Sequence, residues 1–394
     1  MTKLNAHYDV VVLGAGMIGA AFALSLAKNT KLSIALLEQS CVTQSKPLAT
    51  QKNQKVVALG KLATQLLDEL QILQKLNTDA CYPYTAMTVW DESSNGVLEF
   101  SAADHDQDVL GYMVDGNELT MQLQQAALDH TNIEVIDSIS AESLSLSAES
   151  ATVSSKDSSI TASLIVAADG AQSWARRQAK IFAQRYSYKQ KGIVATIRTA
   201  DSHRDTAWQV FLKTGPLAIL PLHENQSSIV WSAETDIADN LMASAKSEFC
   251  DELAAALQYR LGEVELLSDR QSFELMSIRA DRYYQQRLVL IGDAAHCIHP
   301  LAGQGANLGF KDVISLIKIL KNQDQNNLGD LNILHQYQIA RKSDNETTDQ
   351  FMSLLHETYK ANSPLWKSAR GLGMNLMSSS NLIKSVFVKQ AMGI

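Results

Sequence analysis

The chain has 394 residues, enough for two domains or one large composite domain, and its 46% hydrophobic and 19% charged residues suit a globular protein with a sizeable core. Its formal net charge is -8 and its Lys and Arg residues are dispersed, which argues against nucleic-acid binding and against broad adsorption to an anionic membrane. Cys41, Cys81, Cys250 and Cys297 lie far apart without a Cys-x-x-Cys pair, so neither a disulfide scaffold nor a zinc site is expected.

Residues 1–8 are polar and no run of 18 apolar residues occurs, so the expectation is a cytoplasmic protein without a membrane span. Residues 10–13 are wholly apolar and predict a buried strand. The glycine-rich residues 14–19 follow, then an Ala- and Leu-rich helix to Asn29 and a second strand over 32–37 that ends at Glu38. This is the opening of a parallel sheet. A polar loop over 41–52 precedes a helix expected over 56–70, with Leu59, Leu62, Leu66, Leu67 and Leu70 on its apolar positions.

Residues 87–100 suggest strands broken at Asn95-Gly96. A helix follows over 119–128, a strand over 133–136, small antiparallel strands between 138 and 160, and a buried strand over 164–168. From 184 to 275 short apolar segments between polar turns predict an antiparallel sheet, interrupted by one helix over 243–261. Residues 288–291 return to the earlier strand style. Helices over 307–320 and 331–351 and a loosely helical tail over 372–392 complete the chain.

Three stretches carry chemistry. In Gly14-Ala15-Gly16-Met17-Ile18-Gly19, Gly14 permits the tight turn, Gly16 lets the backbone approach a pyrophosphate and Gly19 lets helix and sheet pack closely. The helix start supplies unpaired N–H groups. Glu38, nineteen residues beyond Gly19, suits the ribose hydroxyls of an adenosine and repels a 2'-phosphate. Asp169-Gly170, followed by Arg176, and Gly292-Asp293 each end a predicted strand, where an Asp points into the ligand crevice. Asp293 can accept hydrogen bonds from a ribityl chain, which selects FAD over a nicotinamide cofactor. Finally, residues 299–309, His-Pro-Leu-Ala-Gly-Gln-Gly-Ala-Asn-Leu-Gly, allow backbone to approach a planar ring and end in a helix whose start favours negative charge on a reduced flavin. The distance from Gly19 to Asp293 implies a discontinuous nucleotide domain with a second domain inserted.

Together these stretches resemble the aromatic-ring hydroxylases that use a single FAD, and among them the ubiquinone-biosynthesis hydroxylases. Cys81-Tyr82-Pro83-Tyr84, Leu110 with Gly111-Tyr112, Thr214-Gly215-Pro216-Leu217, Asp312 and the closing Gly371-Leu372-Gly373 fit as well, so the resemblance covers essentially the whole chain. The stretches around Cys81, Tyr112 and Gly215 look most like the demethoxyubiquinol-hydroxylating branch. The resemblance implies a p-hydroxybenzoate hydroxylase-like α/β fold. Its discontinuous Rossmann-like FAD-binding domain would span 1–75, 105–183 and 280–345, with an antiparallel-sheet substrate domain over 76–104 and 184–279 and a helical C-terminal region over 346–394.

The implied activity is hydroxylation of a polyprenylated phenol or quinol with O2 through a flavin C4a-hydroperoxide, the FAD being reduced by NADH, NADPH or another reductase. The cofactor then performs the hard step and the protein positions it. By the same resemblance Gly14, Gly16, Gly19, Glu38, Lys55, Asp169, Gly170 and Asp293 bind cofactor. Gly303, Gln304, Gly305, Ala306 and Asn307 wall the flavin ring, and His299, Pro300 and Gln304 position flavin and substrate. His296 is expected to pack and hydrogen-bond beneath the ring, and His299 either orients the substrate hydroxyl or is structural. Partners implied are a lipid carrier, other proteins of the same biosynthesis, or peripheral membrane contact through the tail. Two departures stand out: Asn53 and Lys55 replace the family's Asp-x-Arg, and Glu274, Ser277 and Ile278 replace its Pro and Arg residues. A flavin-dependent reductase and a non-catalytic flavoprotein subunit also fit the nucleotide motifs.

Overall fold

Val10, Val11, Val12 and Leu13 are all buried, and a strand that is apolar on both faces belongs inside a covered parallel sheet. The computed structural model, which describes residues 5–42, 55–94, 96–298 and 304–360, places it there. The opening strand Asn5–Leu13 pairs in parallel with Ser159–Ala167 on one side and Ile34–Leu37 on the other. Leu288–Leu290 and Ile133–Ile136 continue the parallel order outward. An antiparallel partner, Tyr284–Gln285, closes one edge, and Ser143–Leu146 and Ala151–Ser154 extend antiparallel from Ser159–Ala167. Strands remote in sequence thus stand side by side. The helix Met17–Asn29 is buried from Gly19 through Ala27, because helices Gly116–Leu128 and Gln304–Leu320 also pack on it.

A second, nine-stranded sheet is centred on Ala183–Thr199, one continuous strand where short segments were expected. It pairs antiparallel with Gln226–Glu234 and Gln271–Ala280. Gly215–Pro221, Thr206–Leu212, Ala86–Asp91 and Val97–Ser101 continue the sheet. One junction is parallel, Thr206–Leu212 against Ala86–Asp91. No tight hairpin joins those two, so nothing forces the antiparallel sense. At the other edge the two-residue strand His296–Cys297 pairs with Gln271–Ala280.

Two sequence expectations need correction. Residues 56–59 form a strand, and the helix begins only at Lys61 after Gly60. Val56 and Val57 are β-branched, and Tyr112–Asp115 offers an antiparallel partner that sequence periodicity does not reveal. That pairing belongs to a three-stranded sheet, Val56–Leu59, Gly111–Asp115 and Cys81–Tyr84, which draws strands from both expected domains. Finally, two helices, Thr235–Ala243 and Lys246–Ala256, replace the single one expected over 243–261.

The last described helix, Leu331–Lys360, runs past residue 351, and the tail at 372–392 lies outside the described residues. Among the described residues no helix is long and apolar enough to cross a membrane. One apolar core lies around the parallel sheet, and two smaller ones, around Ile193, Ile197 and Trp231 and around Tyr84, Phe100 and Met113, support the second.

Candidate active site

The site begins at the turn between the first strand and its helix. Gly14 has φ +96, and a Cβ there would lie 2.6 Å from the Ala168 carbonyl oxygen, so only glycine fits the turn. A Cβ on Gly19 would sit 1.9 Å from the Gly14 carbonyl oxygen, which is the closeness of helix to turn. Gly16 is different: a Cβ there meets nothing within 4 Å, because that face is open. Ala15 fixes the turn from both sides. Its N–H donates to Glu38 Oε2 at 2.8 Å, and its carbonyl accepts from Gln124 Nε2 at 2.8 Å. Glu38 Oε1 accepts from Ser40 N at 3.1 Å and Ser40 Oγ at 2.9 Å, which holds the carboxylate beside the glycines.

The two Asp loops lie next to this turn. Asp169 Oδ2 accepts from Ala175 N at 2.9 Å, while Oδ1 is buried with no hydrogen-bond partner. Gly170 has φ +77 and open space where a Cβ would stand. Arg176, fully buried, joins the loops: Nη1 donates to the Ala294 carbonyl at 2.6 Å and Nη2 to the Ala171 carbonyl at 2.8 Å. Asp293 projects from its turn into the cleft, where its side chain is exposed. Desolvation raises its carboxyl above the ordinary Asp range, and His296 and Lys55 only partly offset this.

Beneath Asp293 runs a buried network. Asp312 Oδ2 accepts from Gly292 N at 2.9 Å and lies 2.6 Å from His296 Nε2. Asp312 Oδ1 accepts from Arg341 Nε at 2.8 Å, and Arg341 Nη2 donates to Asn345 Oδ1 at 2.6 Å. Burial alone would raise the Asp312 carboxyl, but His296 and Arg341 outweigh it and hold it below the usual range. The turn that presents Asp293 is therefore anchored to the long helix Leu331–Lys360.

A cleft of about 530 Å³ connects these loops with the second sheet. Gly16, Lys55, Gly170, Asp293, Gly305 and Ala306 line one wall. Met87, Trp208, Leu220, Val230 and Phe273 contribute to the other, with Tyr84 and Met113 from the three-stranded sheet. Cys297 also lines it, and burial pushes its thiol up to about 12, so it is an unreactive neutral wall. The open faces of Gly16, Gly170 and Gly305, the unpartnered Asp169 Oδ1 and the Asp293 carboxylate fit a dinucleotide that brings phosphates to backbone N–H groups and hydroxyls to carboxylates.

The FAD binding domain family matches residues 7–350 of this chain. The chain belongs to that family. It is 30% identical over 395 residues to 3-demethoxyubiquinol 3-hydroxylase of Escherichia coli (strain K12), covering 99% of this chain and 100% of the relative. It is 31% identical over 389 residues to the ubiquinone hydroxylase UbiL of Rhodospirillum rubrum, covering 98% and 89%. The solved p-nitrophenol 4-monooxygenase PnpA of Pseudomonas putida DLL-E4 superposes with a TM-score of 0.77 at 15% identity over 99% of this chain and 98% of that one, which shows a shared fold. The chain is thus an FAD-dependent monooxygenase of the ubiquinone-biosynthesis hydroxylase type.

Within this flavoenzyme fold the residues singled out from sequence fall into groups. Gly14, Gly16, Gly19, Glu38, Asp169, Gly170 and Asp293 converge at one end of the parallel sheet, and Lys55 stands close enough for its charge to act on Asp293. Gln304 opens the helix Gln304–Leu320, and Gly305 and Ala306 line the cleft. Asn307 shapes this wall from within. Its amide accepts from Gly60 N and donates to the Ala58 carbonyl, each at 2.9 Å, so it sets the backbone of residues 58–60. His299, Pro300, Gly303 and Asn53 lie outside the described residues. Of the departures after Phe273, Ser277 and Ile278 are buried in the sheet and Arg279 is ion-paired with Asp349.

The sequence reading missed the clamp role of Arg176, the support from Gln124 and the joining of Arg341 and Asn345 to Asp312. One signal was available: Asp312 sits beside Phe310 and Val313 in an otherwise apolar helix face, where a buried charge calls for a partner.

Proposed function

We propose that this flavoenzyme hydroxylates the aromatic ring of a polyprenylated phenol or quinol in ubiquinone biosynthesis. The observation that carries the reading is a cleft with the glycine and Asp loops on one wall and an apolar sheet on the other. FAD bound on the first wall would supply O2 activation and oxygen insertion. The protein's own residues bind, orient and exclude water: Gly14, Gly16, Gly19 and Glu38 serve the adenosine and pyrophosphate, Asp169 and Gly170 the pyrophosphate side, and Asp293 the ribityl hydroxyls. Gly305, Ala306 and the backbone shaped by Asn307 face the ring system, with His299, Pro300, Gly303 and Gln304 positioning flavin and substrate. The apolar wall matches a poorly soluble substrate, and a dry pocket protects oxygen-transfer chemistry from water.

On this reading residues 1–75, 105–183 and 280–345 form the FAD-binding part, 76–104 and 184–279 the substrate part and 346–394 a C-terminal region. The name of the Escherichia coli relative supports a demethoxyubiquinol-like ring. Glu38 beside the glycine turn provides one adenosine site, so NADH, NADPH or a separate reductase delivers electrons as a visitor. The enzyme works in the cytoplasm and collects its substrate from a lipid carrier, a neighbouring biosynthetic protein or the membrane surface.

The test is direct. Purified protein is expected to be yellow, and with a reductant and a prenylated phenol to consume O2 and release a ring bearing one more hydroxyl. A flavin-loaded protein that oxidises the donor yet never hydroxylates the ring would replace this reading with a reductase.

A further inference from the structure

The sheet wall of the cleft is apolar apart from two groups. Gln209 and Ser228 line it among Ala207, Ala218, Leu220 and Val230. Gln209 is 5% exposed and Ser228 2%, yet neither side chain has a hydrogen-bond partner among the described residues. Thr196, paired with Ser228 across the ladder, likewise has a buried hydroxyl without a partner. A ligand covering this wall would shut Gln209 and Ser228 off from water, and buried polar groups left unpaired are costly, so the two call for oxygen atoms on that ligand.

The register fixes their separation. Gln209 lies opposite Ala218, Ala218 opposite Val230, and Ser228 is two residues along from Val230. Two strand spacings and two residue rises put the Cα atoms of Gln209 and Ser228 roughly 12 Å apart. One aromatic ring with a hydrogen bond on either side spans such a gap. The Gln amide and the Ser hydroxyl can each donate or accept, so the pair accommodates a hydroxyl or an ether oxygen. Among the described lining residues the only cation is Lys55, on the opposite wall beside Asp293, so nothing on the sheet answers a carboxylated ring.

We infer that Gln209 and Ser228 determine substrate specificity by holding oxygens on opposite sides of one neutral ring, with Thr196 behind Ser228. This rests on the reading that the cleft holds the aromatic substrate. The FAD-loaded protein is titrated anaerobically without reductant, so that binding is read without turnover, following the flavin absorbance. The probes are a prenylated methoxyhydroquinone, a prenylated phenol with one hydroxyl, and prenylbenzene.

Gln209→Leu and Ser228→Ala are each expected to weaken the hydroquinone about tenfold, the loss of one buried hydrogen bond. Only one of them should weaken the monophenol, and prenylbenzene should bind all proteins alike. Gln209→Asn, which keeps the amide but shortens its reach, replaces Gln209→Leu if the latter loses flavin or native circular dichroism. Equal losses for all three probes, no loss for any, or a wild type that binds none of them would overturn the inference. A wild type that binds with this pattern but never hydroxylates would instead overturn the proposed activity and leave the inference standing.

Discussion

Asp293 and Gly16 show at the residue scale how ligand-facing groups differ from those that hold the fold. The Asp293 carboxyl is raised by desolvation in the flavin-free protein. A raised carboxyl contributes stability that is fully present below the unfolded value, about 3.9, and is lost as pH rises through the folded value. At neutral pH the ionised side chain therefore works against the empty fold. Asp293→Asn is expected to raise the Tm of the flavin-free protein at pH 7, with the gain shrinking as pH falls toward about 4, and to lower FAD affinity at least about tenfold. A lower Tm at pH 7 would contradict the assignment of burial as the dominant influence. Gly16→Val should leave the flavin-free protein folded, since a Cβ there meets nothing, but abolish flavin retention by blocking backbone approach. Normal flavin content in that variant would remove the pyrophosphate from this position. These residues were legible in the sequence because the turn chemistry of Gly14, Gly16 and Gly19 is local, lying within six consecutive residues.

At the element scale, legibility fell wherever a partner was distant. Val56–Leu59 reads as the start of a helix until Tyr112–Asp115 supplies its ladder. Arg176 looks like a surface residue of a short helix, yet it reaches the Ala294 carbonyl 118 residues away. Its guanidinium satisfies two carbonyls in two loops, a geometry that a Lys ammonium cannot reproduce. Arg176→Lys is expected to cost about 2 kcal/mol of stability, read as a lower urea midpoint of the flavin-free protein with an unchanged slope. An unchanged midpoint would show that the clamp contributes nothing. Asp312 and Arg341 make the same point between helices: each has charged neighbours of its own in sequence, and only packing shows that the two pair with one another.

At the scale of the whole molecule, the fold brings an alternating-strand wall against a phosphate-facing one, and the cleft between them exists only because the chain leaves the first sheet and returns to it. Composition and periodicity exposed both sheets, but not the three-stranded sheet that joins them, whose strands come from residues 56–59, 81–84 and 111–115. The return path has its own consequence. Just beyond Asp293 the chain becomes the strand His296–Cys297, hydrogen-bonded into the edge of the ring-facing sheet, while His296 also rests on Asp312. This short stretch would act as a lever with one arm in each compartment, so that a ligand settling one is expected to load the other. Energetic linkage of this kind is reciprocal. A prenylated phenol should tighten FAD by the same factor by which FAD tightens the phenol, measured by paired titrations. Independent affinities would mean that the lever transmits nothing, whereas a shared factor well above one would make the enzyme a device that senses its oil-soluble cargo through the grip on its own pigment.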